Sequence, residues 1–87
     1  MSVPRLDRLL RCAENWLSAR GVDSPRLSAQ LLAASVLGMD RLGLFLDRHR
    51  ELSREAAVAF WRLVRRRGRG EPVAYLLGEK EFWGRPF

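Results

Sequence analysis

The sequence predicts an all-α fold: a small bundle of four to five short helices, followed by an extended C-terminal segment with the character of a β-hairpin arm. Three observations carry that expectation. Apolar residues recur at three- and four-residue steps through most of the chain. Capping residues and glycines punctuate those runs at the length of a short helix. After Gly78 the helical period gives way to Phe82, Trp83 and Phe87, interrupted by Gly84 and Pro86. With 87 residues, 47% apolar and 30% charged, the chain has a globular composition. A chain of this length removes only about 60–65% of its unfolded surface from water, so one domain with a small core is expected.

Leu6, Leu9, Leu10, Ala13, Trp16 and Leu17 fall on one helical stripe, with Asp7, Arg8, Arg11 and Glu14 mostly outside it, and Gly21 supplies the stop. Ser24 and Pro25 start a second helix, the serine as a side-chain cap and the proline at the first helical position. It runs through LSAQLLAASVL to Gly38 and is apolar over most of its circumference, which places it at the centre of the bundle. Asp40 caps a third helix, RLGLFLDR, weakened by about 1 kcal/mol by Gly43. Ser53 caps a fourth, with Glu55 in its first turn and Arg65 to Arg67 in its last, as the helix dipole favours. Ala57, Phe60, Trp61 and Val64 form its buried stripe, and Gly68 and Gly70 break it. Pro72 opens a fifth helix, VAYLL, that Gly78 closes. Residues 79–87 then read as an extended arm, and a lone strand is not stable without a partner. The expected division is a helical domain over residues 1–78 and the start of a linker or hairpin over 79–87.

Several function classes are set aside by composition. Cys12 is the sole cysteine, so no internal disulfide forms and a reducing, cytoplasmic setting follows; on its helix it reads as a packing residue, not a nucleophile. Arg5, Asp7, Arg8 and Arg11 interrupt any signal-peptide apolar region, and no run approaches a membrane span. One histidine and one cysteine make no closed metal site. Gly68 and Gly70 give a G-x-G, but position 73 is Val and the pair follows a helix, so a cofactor loop is not expected.

The net charge of +6 is concentrated in one place. Five arginines stand between Arg62 and Arg69 without an acid, while the rest of the chain is close to neutral. Arg62, Arg65, Arg66 and Arg69 recur at three- and four-residue steps, able to meet phosphates or carboxylates on a partner, or simply a solvated helix end. Ala34, Gly38 and Leu44 stand at offsets resembling a helix-turn-helix; its recognition helix would present Asp40, Arg41, Leu42, Phe45 and Leu46, a face too apolar to read bases. A nucleic-acid module using the Arg62 to Arg69 patch, and a helical adaptor whose aromatic tail extends a partner's sheet, stand as alternatives.

Two blocks, DSPRLSAQLLAASVLGMDRLGLFL and RRRGRGEPVAYLLGEKEFWGRPF, resemble the N-terminal region of the HemK (PrmC) family of protein glutamine methyltransferases. The second block carries the resemblance, through Gly70, Glu71, Pro72, Ala74, Tyr75, Gly78, Glu81, Phe82 and Trp83. Ser28 and Gln30 depart from it, standing where many members carry acidic residues. The resemblance implies a parent enzyme, in the cytoplasm, that transfers a methyl group from S-adenosylmethionine to the glutamine of the Gly-Gly-Gln motif in peptide chain release factors. It implies a catalytic domain absent from this sequence, so the fragment itself is expected to be non-catalytic, to hold no cofactor or metal, and to contain no catalytic residue. It further implies a release factor and the chain's own catalytic domain as partners; from the residues themselves a monomer is expected, with no membrane and no nucleic acid as partner. Arg62, Arg65, Arg66 and Arg69 are the candidate contacts with the release factor. Glu71, Pro72, Tyr75, Phe82, Trp83 and Phe87 are the candidate interdomain linker.

Overall fold

The computed structural model describes residues 4–77. Four helices follow in order, α1 Leu6–Ala19, α2 Pro25–Leu37, α3 Arg41–Leu46 and α4 Arg54–Gly68. A fifth, α5, covers residues 73–77. Among the described residues there is no strand, and one isolated bridge pairs Arg5 with Glu51. The extended arm expected over 79–87, with Phe82, Trp83 and Phe87, lies outside the described residues, as does Gly78.

α2 is central because it packs against each of α1, α3 and α4. Its Ala29, Leu32 and Ala33 are buried with Leu6, Leu9, Ala13 and Leu17 of α1 and Phe60, Leu63 and Val64 of α4. Leu63 was not on the stripe expected for α4, although it adjoins Phe60 and Val64 on the same side. Leu76 of α5 is fully buried in this cluster, so the Glu71 to Leu77 stretch belongs to the bundle. Cys12 corrects the expectation from sequence, since it is exposed: it sits one residue off the buried Leu6, Leu9, Ala13, Leu17 line, roughly 100° around the helix.

The helix ends mostly follow local chemistry. Asp40 Oδ1 accepts from the Gly43 amide at 2.8 Å, and Ser53 Oγ accepts from the Ala56 amide at 3.1 Å. Ser24 does not do this. It precedes α2 in a left-handed conformation, φ 50°, and its side chain makes no cap hydrogen bond, so the start rests on Pro25 and on the Ser24 carbonyl accepting from Ser28. α1 begins without a side-chain cap. Its first amides, Leu6 and Asp7, donate instead to the carbonyls of Arg50 and Arg48, each at 2.8 Å, and Leu52 donates to Pro4 at 2.9 Å. The segment between α3 and α4 thus closes the N-terminus of α1.

A small ionic cluster holds the same corner. Asp7 accepts from Arg5 Nε at 3.2 Å and Nη2 at 2.9 Å and from the Arg8 amide at 2.8 Å, with His49 Nδ1 3.5 Å away. The Arg5 guanidinium holds the Asp7 carboxyl below the usual carboxylate range. A carboxyl lowered on folding adds stability above its unfolded pKa, near 4, and loses it as pH falls through the folded value. Asp7→Asn is therefore expected to lower the thermal midpoint modestly at pH 7 and to match the parent chain near pH 2. Unfolding followed by circular dichroism at the two pH values checks this; an equal deficit at both would remove the carboxylate charge as its source.

Candidate functional site

The end of α4 and its turn into α5 is where the sequence concentrates charge, and backbone geometry decides what that charge can do. Gly70 has φ 104°, which favours glycine. The Gly70 amide donates to Arg67 O at 3.0 Å and the Glu71 amide to Arg66 O at 3.2 Å, the pair of bonds that defines a Schellman ending. In such an ending the residues contributing the last carbonyl and the last amide usually meet through apolar side chains. Here those two residues are Arg66 and Glu71, and they meet as an ion pair. Arg66 Nη2 lies 2.7 Å from Glu71 Oε1, and Arg66 Nε lies 3.1 Å from both carboxylate oxygens. Pro72 follows and accepts from the amides of Tyr75 and Leu76, each at 3.1 Å, at the start of α5.

Gly68 is not the stop expected of it. It is the last residue of α4, and a Cβ there would lie 2.6 Å from Trp16 Cη2 and closer still to Cζ3. The glycine lets α1 and α4 approach. The G-x-G amides are consumed by this ending, because Arg69 donates to Arg65 and Arg66 and Gly70 donates to Arg67. No cradle of free amides is left at this turn for a phosphate or cofactor. Among the described residues no three His, Cys, Asp or Glu side chains come together as a metal site. No helix among them is long and apolar enough to cross a membrane.

The five clustered arginines separate into two groups. Arg66 is paired with Glu71, and Arg67 donates to Ser28 Oγ at 3.4 Å and to Glu71 O at 3.3 Å. Both are partly buried. Arg62, Arg65 and Arg69 are exposed, and their side chains make no ion pair or hydrogen bond to a described residue. The structure places Arg54 and Val58 on the same outward line, both exposed. Their spacing, four residues each from Arg54 to Arg62, is readable in the sequence, but Glu55 separates Arg54 from the arginines of the acid-free stretch, the first of which is Arg62. Ser28 and Gln30 each receive an arginine, Ser28 from Arg67 and Gln30 Oε1 from Arg41 at 3.0 Å. The donor geometry that an acid would satisfy is present there without the charge.

A second exposed surface lies on α3. Leu42, Phe45 and Leu46 are each at least 60% exposed, with the Arg48 guanidinium 4.3 Å over the Phe45 ring. This face offers few donors for base edges, which weakens a helix-turn-helix role. Of the linker candidates, Glu71 and Pro72 form the joint just described and Tyr75 is exposed.

The PrmC N-terminal domain family matches residues 8–78. The chain is similar to the release factor glutamine methyltransferase of Nitratidesulfovibrio vulgaris, with 44% identity over 94% of this chain and 28% of that protein. It is also similar to those of Chlorobaculum tepidum, 42% over 91% and 27%, and Rhodopirellula baltica, 42% over 87% and 26%. The chain thus spans little more than a quarter of the length of these relatives. No solved structure matches.

Proposed function

Because the chain belongs to the PrmC N-terminal domain family, we propose that it serves as the release-factor-recognition domain of a protein glutamine methyltransferase. In this reading the parent enzyme, in the cytoplasm, uses S-adenosylmethionine to methylate the side-chain amide nitrogen of the glutamine in the Gly-Gly-Gln motif of peptide chain release factors. The cofactor and every catalytic residue belong to the portion beyond this chain, whose catalytic domain is the second partner of the bundle. The bundle acts as a monomer and contributes binding only.

One observation carries the proposal: similarity to proteins named as release factor glutamine methyltransferases runs along nearly all of this chain while covering little more than a quarter of theirs. The exposed Arg62, Arg65 and Arg69 are consistent with it, as side chains available to a partner. Arg66 supports the site indirectly, by holding the joint with Glu71.

Competition tests the reading. An excess of the 87-residue chain, added to an intact release factor glutamine methyltransferase and its release factor, is expected to sequester the factor and slow methyl transfer. It is expected to do so without retaining S-adenosylmethionine in equilibrium dialysis. Undiminished methyl transfer at saturating chain would sink the recognition role, and saturable cofactor retention would sink the assignment of the cofactor to the other portion.

A further inference from the structure

α4 carries on its outer side a ridge that no described residue neutralises. Arg54, Val58, Arg62, Arg65 and Arg69 lie within an arc of roughly 80° and along about 22 Å of helix, at 3.6 residues per turn and 1.5 Å per residue. Arg69 is the C-cap but keeps right-handed helical dihedrals, φ −85° and ψ −3°, so it continues the line. All five are exposed, and the four arginines have no ion pair with any described residue. Glu55, in the first turn, is the one acid at the edge of the ridge. The remaining charge of the protein is nearly balanced, so this ridge holds most of the excess.

We infer that this ridge is the docking surface, and that it receives an acidic surface helix of the protein substrate laid along α4. The inference rests on the release-factor reading and names the face and the chemistry of its partner. A helix with carboxylates at four-residue steps repeats about every 6 Å, the rise between Arg54, Val58 and Arg62. Arg66 and Glu71 show, on this same helix, the two-pronged pairing that a planar guanidinium makes with a carboxylate. Val58, 47% exposed in the middle of the ridge, gives an apolar contact that a protein helix buries and a phosphate backbone does not. Trp61, the aromatic nearest the ridge by helical position, is half-buried and packs on Trp16 and Phe60, so it does not stand out as a platform for stacking bases. Its charge is confined to one face, where it steers a transient partner and sets its register more than it adds affinity.

Binding of a bacterial peptide chain release factor to the 87-residue chain, measured by titration calorimetry across a salt series, tests this. Arg62→Glu with Arg65→Glu is expected to weaken binding by about tenfold or more and to flatten its salt dependence. Arg8→Glu with Arg11→Glu, on the exposed side of α1 and equal in charge change, is expected to stay within about twofold. Both changes lie on exposed positions, and far-ultraviolet circular dichroism confirms that each variant is folded. Equal loss in both variants would reduce the ridge to bulk charge and overturn the inference. If the parent chain binds and the α4 variant binds equally well, the inference falls while the release-factor reading stands. If the parent chain binds no release factor, both fall. Tighter binding of a 20-base-pair RNA duplex than of the release factor would overturn the acidic-protein assignment.

Discussion

Gly68→Ala is expected to destabilise the bundle by about 1–3 kcal/mol, although the same exchange at an open helical position stabilises by about 1 kcal/mol. The two effects have opposite signs, so the measured direction decides which governs this position. The new Cβ meets the Trp16 ring at 2.6 Å from Cη2. The ring has little room to swing away. It stands edge-on to Trp61, with centroids 6.4 Å apart and planes at 89°, and the Arg20 guanidinium covers it at 4.4 Å. Moving the indole gives up both contacts; leaving it in place pushes α4 off α1. Urea denaturation of the single variant, of Trp16→Leu, and of the pair gives the coupling directly. Most of the alanine penalty is expected to disappear when Trp16 is already shortened. A stabilised single variant would show that the helices do not approach closely at Gly68.

Phe60→Ala is expected to cost about 3–5 kcal/mol, the range for removing a buried aromatic side chain and leaving a cavity. Phe60 is 2% exposed, belongs to the cluster that joins α1, α2, α4 and α5, and packs on Trp61 with centroids 6.0 Å apart. A domain of this length holds on the order of 4–13 kcal/mol in total. The variant is therefore expected to be largely or wholly unfolded at 37 °C, with loss of helical circular dichroism and a denaturation midpoint moved close to zero urea. Phe60→Leu keeps much of the volume and is expected to retain a cooperative transition. A Phe60→Ala chain as stable as its parent would mean that the core does not converge on this ring.

The two glycines near the end of α4 show how far the sequence could be read. Gly70 is legible because its role is local: a left-handed residue after a helix, followed by proline, needs no other part of the chain. Gly68 looks like a second stop in the sequence because nothing nearby marks it as the seat of Trp16. Ser24 illustrates a different failure. Its residue type and the following proline pointed to a side-chain cap, but the chain enters α2 through a left-handed turn that turns the cap into a backbone one. Cys12 differs for a simpler reason: its neighbours Leu9 and Ala13 face the core, but residue 12 lies off their stripe and is exposed.

The arginine cluster was legible as composition and opaque as a site. Its spacing placed Arg62, Arg65, Arg66 and Arg69 together, but spacing alone does not tell which arginines are satisfied. Glu71 takes Arg66, through a helix ending that brings C-terminal residues back onto the last turn, and Ser28 on α2 receives Arg67 from 39 residues away. Arg54 and Val58 join the outward side for the converse reason, since the core faces of α4 bury Phe60, Leu63 and Val64 and leave this line to solvent.

By itself, the sequence determined the helical elements of the described residues, most of their caps and stops, the central place of α2 and the family, because periodicity, capping and turn chemistry act within four or five residues. Only the tertiary structure decided that the segment between α3 and α4 closes the start of α1, that Gly68 is a contact and not a hinge, and which arginines remain unpaired. Those outcomes depend on groups that meet after the helices pack, and no local pattern encodes the distance between them.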